Sequence, residues 1–238
     1  LDTPADIYVL ELSSFQLAHS AHLALASAGV LNITDDHRDW HGDFESYRRA
    51  KERIYVNADY CVGCLSTDCD VDVTVDVSAP DVNRWGVAYH EEALWLFCDD
   101  TPLIATSDLP LAGRHNVENC LWALALVEPW IEPRHAAQLL VGFQGLPHRF
   151  EFLSGPTDIH CINDSKATNV GATLAALEGF ARDESLILIA GGDSKHADLA
   201  PLGEAMQGRV QRLVTLGQDA ATLNEVASAN GVLWQQVT

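Results

Sequence analysis

Short apolar runs alternate with amphipathic stretches along most of this chain, and that alternation restricts the fold more than any other feature. Runs of four to eight β-branched and aliphatic residues read as buried strands, and stretches with apolar residues three and four apart read as helices. Strand, helix and strand in succession give a parallel sheet with covering helices, the α/β class. Residues 7–12 (IYVLEL) and 30–33 (VLNI) are predicted to be buried parallel strands, with a helix over 14–26 between them. A second helix is expected over 43–55, then a β-rich excursion over 58–106 that includes RWGVAY and ALWLFC.

Turn-forming residues near TSDLPLAGRHN place a domain boundary at about residue 108, giving domains 1–108 and 109–238. Beyond it, helices are expected at 116–128, 134–142, 169–181, 197–206 and 218–229. Strands are expected at 150–154, 159–163, 185–190, 210–216 and 232–237, a pattern that reads as a Rossmann-like, doubly wound sheet.

The formal net charge of −20 argues against nucleic acid or an anionic membrane as a general partner. An anionic small substrate remains compatible, because helix N-termini, local cations and magnesium create positive pockets inside an acidic shell. No run of about 18 apolar residues is present to span a bilayer, and LDTPADIYVLELSS lacks the pattern of a signal peptide, so a cytoplasmic protein is expected. Cys61, Cys64 and Cys69 lie close together among six cysteines, but no second pair with matching spacing completes a zinc site, and reduced structural thiols are the expectation.

Only three lysines occur, against 34 Asp and Glu, and each sits in a compact polar motif: Lys51 in YRRAKERIY, Lys166 in INDSKATN and Lys195 in GGDSK. A chain that solubilises itself with carboxylates has kept these three for chemistry. Ligands in open parallel sheets bind at the carboxyl ends of strands. Glu11, with Ser13 and Ser14 after it, would end the first strand at a helix N-terminus, a setting suited to magnesium or phosphate. Asn32, Thr34, Asp35, Asp36 and His37 would end the next, although Thr34 or Asp35 also suits a cap or turn. Arg48, Arg49, Lys51 and Arg53 put four cations in six residues of an acidic chain, which suggests an anionic neighbour. His148 and Arg149 precede a strand and suit phosphates or a base, while Asp164 follows one and suits a ribose hydroxyl. GGDSK aims an ammonium from a flexible loop, yet the full G-x-x-x-x-G-K-S/T phosphate loop is absent.

ELSSFQL, LNITDDH, YRRAKERIY, GRHNVENCLWALAL, GLPHRFE, INDSKATN and GGDSK, in this order, resemble the Mur ligase family. GLPHRFE and INDSKATN resemble the branch that adds D-glutamate to UDP-N-acetylmuramoyl-L-alanine. The resemblance implies an ATP-dependent ligase of peptidoglycan synthesis, working through an acyl phosphate with two magnesium ions. Glu11 and His37 would be metal ligands, joined by Lys51 once carbon dioxide has converted its amine to a carbamate. Ser13, Asn32, Thr34 and Asp36 would line the substrate crevice; Asn116, Asn119, His148, Arg149 and Asp164 would hold ATP. Lys166, Thr168 and Lys195 would position D-glutamate. A monomer is implied. The resemblance also implies a fragment, inactive alone, since the family's ATP loop would precede ELSS. A folylpolyglutamate-type ligase and a non-catalytic nucleotide-binding module are the alternatives.

Overall fold

A computed structural model describes residues 4–34, 37–78, 80–81, 83–109, 111, 113–143, 145–156, 158–180, 185–194 and 197–237, with Asp39 described in its backbone only. It forms two compact units, Leu1–Asp108 with Glu118–Leu139, and Leu109–Val117 with Leu140–Thr238. None of the described helices is long and apolar enough to cross a membrane.

The first unit contains α1 (Ser14–His19), β1 (Ala28–Gly29), α2 (Arg38–His41), α3 (Phe44–Glu52) and a 3₁₀ turn, Arg53–Tyr55. β2 (Cys61–Gly63), β3 (Val73–Val75), β4 (Arg84–His90), β5 (Ala93–Cys98) and β6 (Thr101–Ala105) follow, with α4 (Arg114–Val127) and α5 (Pro133–Leu140) later in the chain. One six-stranded sheet runs in sequence order from β1 to β6. β1 to β4 pair in parallel, and β4, β5 and β6 form an antiparallel meander.

The β-rich excursion is therefore part of the sheet rather than a separate layer. Its tightest turn is Glu91–Glu92, both at positive φ (49° and 66°), the backbone of a two-residue hairpin turn that Asn-Gly more commonly supplies. Val62, Val75, Trp85 and Leu96 are buried with Leu121, Trp122, Leu124 and Ala125 of α4. Gly29 lets the helix approach β1 closely: a Cβ there would lie 3.0 Å from the Trp122 ring. Beyond the end of α4, the Glu128 carboxylate accepts from the Tyr60 hydroxyl at 2.6 Å and the Trp85 indole at 2.9 Å.

Residues 7–12 are not a strand. Ile7, Tyr8, Val9 and Leu10 are exposed, Val9 by 93%, and the segment joins none of the sheets among the described residues. An apolar run becomes a parallel strand only between neighbours. The strand expected at 30–33 lies instead at Ala28–Gly29, and the helix expected over 14–26 stops at His19. There the Arg53 guanidinium donates to the Leu17 and Ser20 carbonyls at 2.9 and 2.8 Å, satisfying a helix end.

The second unit contains β7 (Glu151–Leu153), β8 (Cys161–Asn163), α6 (Val170–Glu178), β9 (Leu186–Gly191), α7 (Ala200–Met206), β10 (Val210–Leu216), α8 (Ala220–Ala229) and β11 (Leu233–Gln236). β9, β10 and β11 form a parallel sheet with β10 at its centre, linked by α7 and α8, so the α/β class read from the sequence is the one found. Leu177, Leu202, Met206, Leu223 and Ala227 from the three helices pack with Val210 and Leu213 of the sheet. The opposite face carries Ile187 and Ile189, 66% and 69% exposed, and no described helix. β7 and β8 stand apart as an antiparallel pair.

Candidate functional site

In the first unit the site is assembled by helices α1, α2 and α3. Asp43 caps α3 by accepting the Ser46 amide at 2.7 Å, and that bond holds its carboxyl below the usual carboxylate range. Capping fixes the helix that carries Tyr47 and Lys51 one turn apart. The Lys51 ammonium donates to the Asn32 carbonyl at 3.3 Å and lies 5.5 Å from the centre of the Tyr47 ring. The His37 ring lies 5.9 Å from that of Tyr47 and 4.9 Å from that of Phe15, with its backbone in the left-handed region at φ 54°. Lys51, Asn32 and His37 are thus brought to one place. Tyr47, Phe15 and His41 are its unpredicted members: His41 hydrogen-bonds to the buried Ser14 hydroxyl at 2.9 Å and stacks on Phe15 at 5.5 Å. The recurrence of aromatic and His residues across 37–47 was the available signal.

Other expected members stand differently. Glu11 is exposed and does not end a strand. The Ser13 hydroxyl and amide form a capping box with Gln16, which fixes the start of α1. Thr34 is exposed, and Asp36 lies outside the described residues.

The basic cluster does not await an anionic ligand as a whole. Arg48 is paired with Glu45, Glu52 and Asp68, Arg49 with Glu45, and Arg53 caps α1. The chain's own carboxylates neutralise this face, as expected when 34 acids surround 14 bases. Among the described residues no group of three His, Cys, Asp or Glu is arranged to hold a metal ion, and none of the six cysteines is in a disulfide.

In the second unit, GLPHRFE and INDSKATN, separate in sequence, meet at β7 and β8. His148 and Phe150 are both left-handed, φ 65° and 49°, with the exposed Arg149 between them. The Asp164 carboxylate accepts the Phe150 amide at 3.0 Å, and the His148 carbonyl accepts the Lys166 amide at 3.1 Å. His148, Arg149, Asp164 and Lys166 are therefore held at one turn, with the exposed Thr168 two residues on. Two residues not anticipated take part: Asn163, whose side chain meets the His148 ring at 2.8 Å, and Glu151, whose carboxylate accepts the His148 amide at 2.9 Å.

Asn116 and Asn119 lie three apart near the start of α4, the spacing that puts two side chains on one helix face. Lys195 lies outside the described residues, but the loop before it is fixed: Ser194 donates its amide to Asp219 at 2.6 Å, and a Cβ on Gly191 would strike the Leu216 carbonyl.

Residues 1–127 match the Mur ligase middle domain, and residues 148–237 match the Mur ligase, glutamate ligase domain. The UDP-N-acetylmuramoylalanine–D-glutamate ligase of Nitrosococcus oceani is 41% identical over 239 residues, covering 97% of this chain and 53% of that protein. The ligase of the same name from Chromohalobacter salexigens is 38% identical, covering 94% and 52%. The chain spans about half the length of the curated relatives it matches. Among solved structures, UDP-N-acetylmuramate-alanine ligase from Thermotoga maritima superposes with a TM-score of 0.68 at 18% identity, over 94% of this chain and 53% of that one. Folylpolyglutamate synthase from the same organism gives a TM-score of 0.57 at 16% identity, over 88% and 53%. The last two share the fold; the family follows from the domain matches. The chain belongs to the Mur ligase family.

Proposed function

We propose that the full-length protein carrying this chain joins D-glutamate to UDP-N-acetylmuramoyl-L-alanine with ATP, a step of peptidoglycan synthesis. The observation that supports it most is the meeting of GLPHRFE and INDSKATN at one turn, in a chain 41% identical to a ligase named for that reaction. Residues 1–108 would form part of the ATPase domain and 109–238 part of the glutamate ligase domain. The full-length enzyme would be a cytoplasmic monomer acting on small-molecule substrates, with neither nucleic acid nor membrane as partner.

The chemistry divides between the two groups of residues. The substrate's terminal carboxylate attacks the γ-phosphorus of ATP, the bond to ADP breaks, and an acyl phosphate forms. The amine of D-glutamate then adds to the acyl carbon, and the tetrahedral intermediate collapses to an amide, releasing phosphate and a proton. Asn32, Thr34 and Asp36 line the crevice for the first substrate. Asn116 and Asn119 take the adenine, His148 and Arg149 the phosphates, and Asp164 the ribose. Lys166, Thr168 and Lys195 take the carboxylates of D-glutamate.

An ammonium cannot ligate a metal, and the described residues hold no ready group of three His, Cys, Asp or Glu. A carbamate on Lys51 would supply the oxygen ligands that an ammonium lacks, and Lys51 and His37 both pack against one ring, Tyr47. Glu11, His37 and carbamylated Lys51 would then hold two magnesium ions, which neutralise charge on the transferring phosphoryl group. Phosphate release by the full-length protein with ATP and UDP-N-acetylmuramoyl-L-alanine tests the reading. Release should require D-glutamate. Release driven by another amino acid instead, or none at all, contradicts it.

A further inference from the structure

The turn at 148–150 holds two anomalies, one on each side of an exposed cation. Non-glycine residues in the left-handed region cost on the order of 1 kcal/mol or more each, and such strain persists only where surrounding contacts over-determine it. Here His148 and Phe150 are both left-handed, and Arg149 lies between them. Glycine would relieve both positions; the sequence uses His and Phe.

The restraints are specific. Phe150 is buried, its ring 5.4 Å from His115 and 5.5 Å from Phe180, which anchors one end of the turn. Its amide is held by Asp164, and the His148 carbonyl by the Lys166 amide. At the other end a single oxygen of Glu151 accepts both the His148 amide at 2.9 Å and the Asn163 side-chain amide at 3.3 Å, and Asn163 in turn meets the His148 ring at 2.8 Å. Glu151 is the only one of these groups that ties the turn, its own strand β7 and the facing strand β8 through one carboxylate. It makes no ion pair among the described residues, so its charge serves these two donors.

We propose that Glu151 is a positioning residue that locks the left-handed turn so that Arg149 is presented to the polyphosphate of the bound nucleotide. This rests on the reading of Arg149 as a phosphate contact. Charged acceptors make the stronger hydrogen bonds, and losing one at a strained turn lets the backbone relax toward ordinary φ, swinging Arg149 away.

Two readouts test this on Glu151→Ala and Glu151→Gln. Amide hydrogen exchange on the 238-residue chain should show His148 exchanging about tenfold or more faster in Glu151→Ala, and near the wild-type rate in Glu151→Gln, whose carbonyl still accepts. In the full-length protein, Glu151→Ala should raise KM for ATP about tenfold with a smaller fall in kcat and no change in KM for the amino acid, and Glu151→Gln should restore it. Unchanged His148 exchange overturns the lock. Faster exchange with an unchanged KM for ATP overturns the presentation of Arg149. If the wild type itself does not turn over ATP, the functional reading fails while the exchange result still decides the lock.

Discussion

The two groups of candidate residues are held in opposite ways. In the first unit, Lys51 and His37 lie largely among side chains on three short helices: Tyr47 is against both, Phe15 packs edge to face on His37 and on Trp40, and His41 is tilted against Tyr47. In the second, His148, Arg149 and Asp164 are placed by the backbone, through amides and carbonyls pinned to Glu151, Asp164 and Lys166. A nest of rings spreads its energy over many contacts. A pinned turn fixes direction, and one lost bond releases it.

The largest expected effect tests whether the ring-lined group is catalytic or merely packed. In the full-length protein, Lys51→Ala should lower kcat by about 10²–10³-fold, the scale for removing one charge-stabilising group, with partial rescue by a short carboxylic acid. Wild-type activity would remove Lys51 from the site. Mass analysis of the untreated protein should find one added carbon dioxide on Lys51, lost on acidification.

Next comes the pinned turn. Asp164→Ala removes both the acceptor for the Phe150 amide and the proposed ribose contact, so KM for ATP should rise about 10–10²-fold while KM for D-glutamate stays put. Equal rises in both would mean the turn does not separate the two substrates.

A smaller effect lies at the cap of α3. Because the folded state holds the Asp43 carboxyl below its ordinary value, its stabilisation is present above pH about 4 and is lost as pH falls through the folded value. Asp43→Ala should therefore melt lower than wild type at neutral pH, and the gap should close on acidification. A gap independent of pH would mean the charge is not the cause.

The smallest effect concerns the thiols. Burial raises Cys64, but hydrogen bonds with Ser66 and Thr67 outweigh it and leave its pKa lowered, whereas burial pushes Cys98 up to about 12 and Cys120 up to about 11. Alkylation near pH 8 should label Cys64 ahead of both. Labelling of Cys120 first would indicate that α4 opens.

What was legible in the sequence follows the range of the interactions. Local periodicity located α3, β4, β5, β10 and the helices of the second unit within a few residues, because their patterns are intrinsic. Residues 7–12 failed because a strand also needs a neighbour, which periodicity does not encode. The turn between β4 and β5 was hidden by Glu91–Glu92, which carries none of the usual turn residues. Among site residues, proximity of Lys51 to His37 followed from one helix and one loop. The basic face misled because Asp68, 20 residues from Arg48, supplies an anion the local pattern does not show. Glu151 three residues after His148 repeats the spacing by which acids cap backbone amides, a signal present in HRFE but indistinct without the positive φ that gives it meaning.

The most direct test of the account is the mass of the product. The full-length protein would be given ATP, UDP-N-acetylmuramoyl-L-alanine and an equal mixture of isotope-labelled D-glutamate and unlabelled L-glutamate. The account predicts one nucleotide product, heavier by a single labelled glutamate residue. Incorporation of the unlabelled L-isomer, or a phosphorylated nucleotide with no amino acid added, would contradict it.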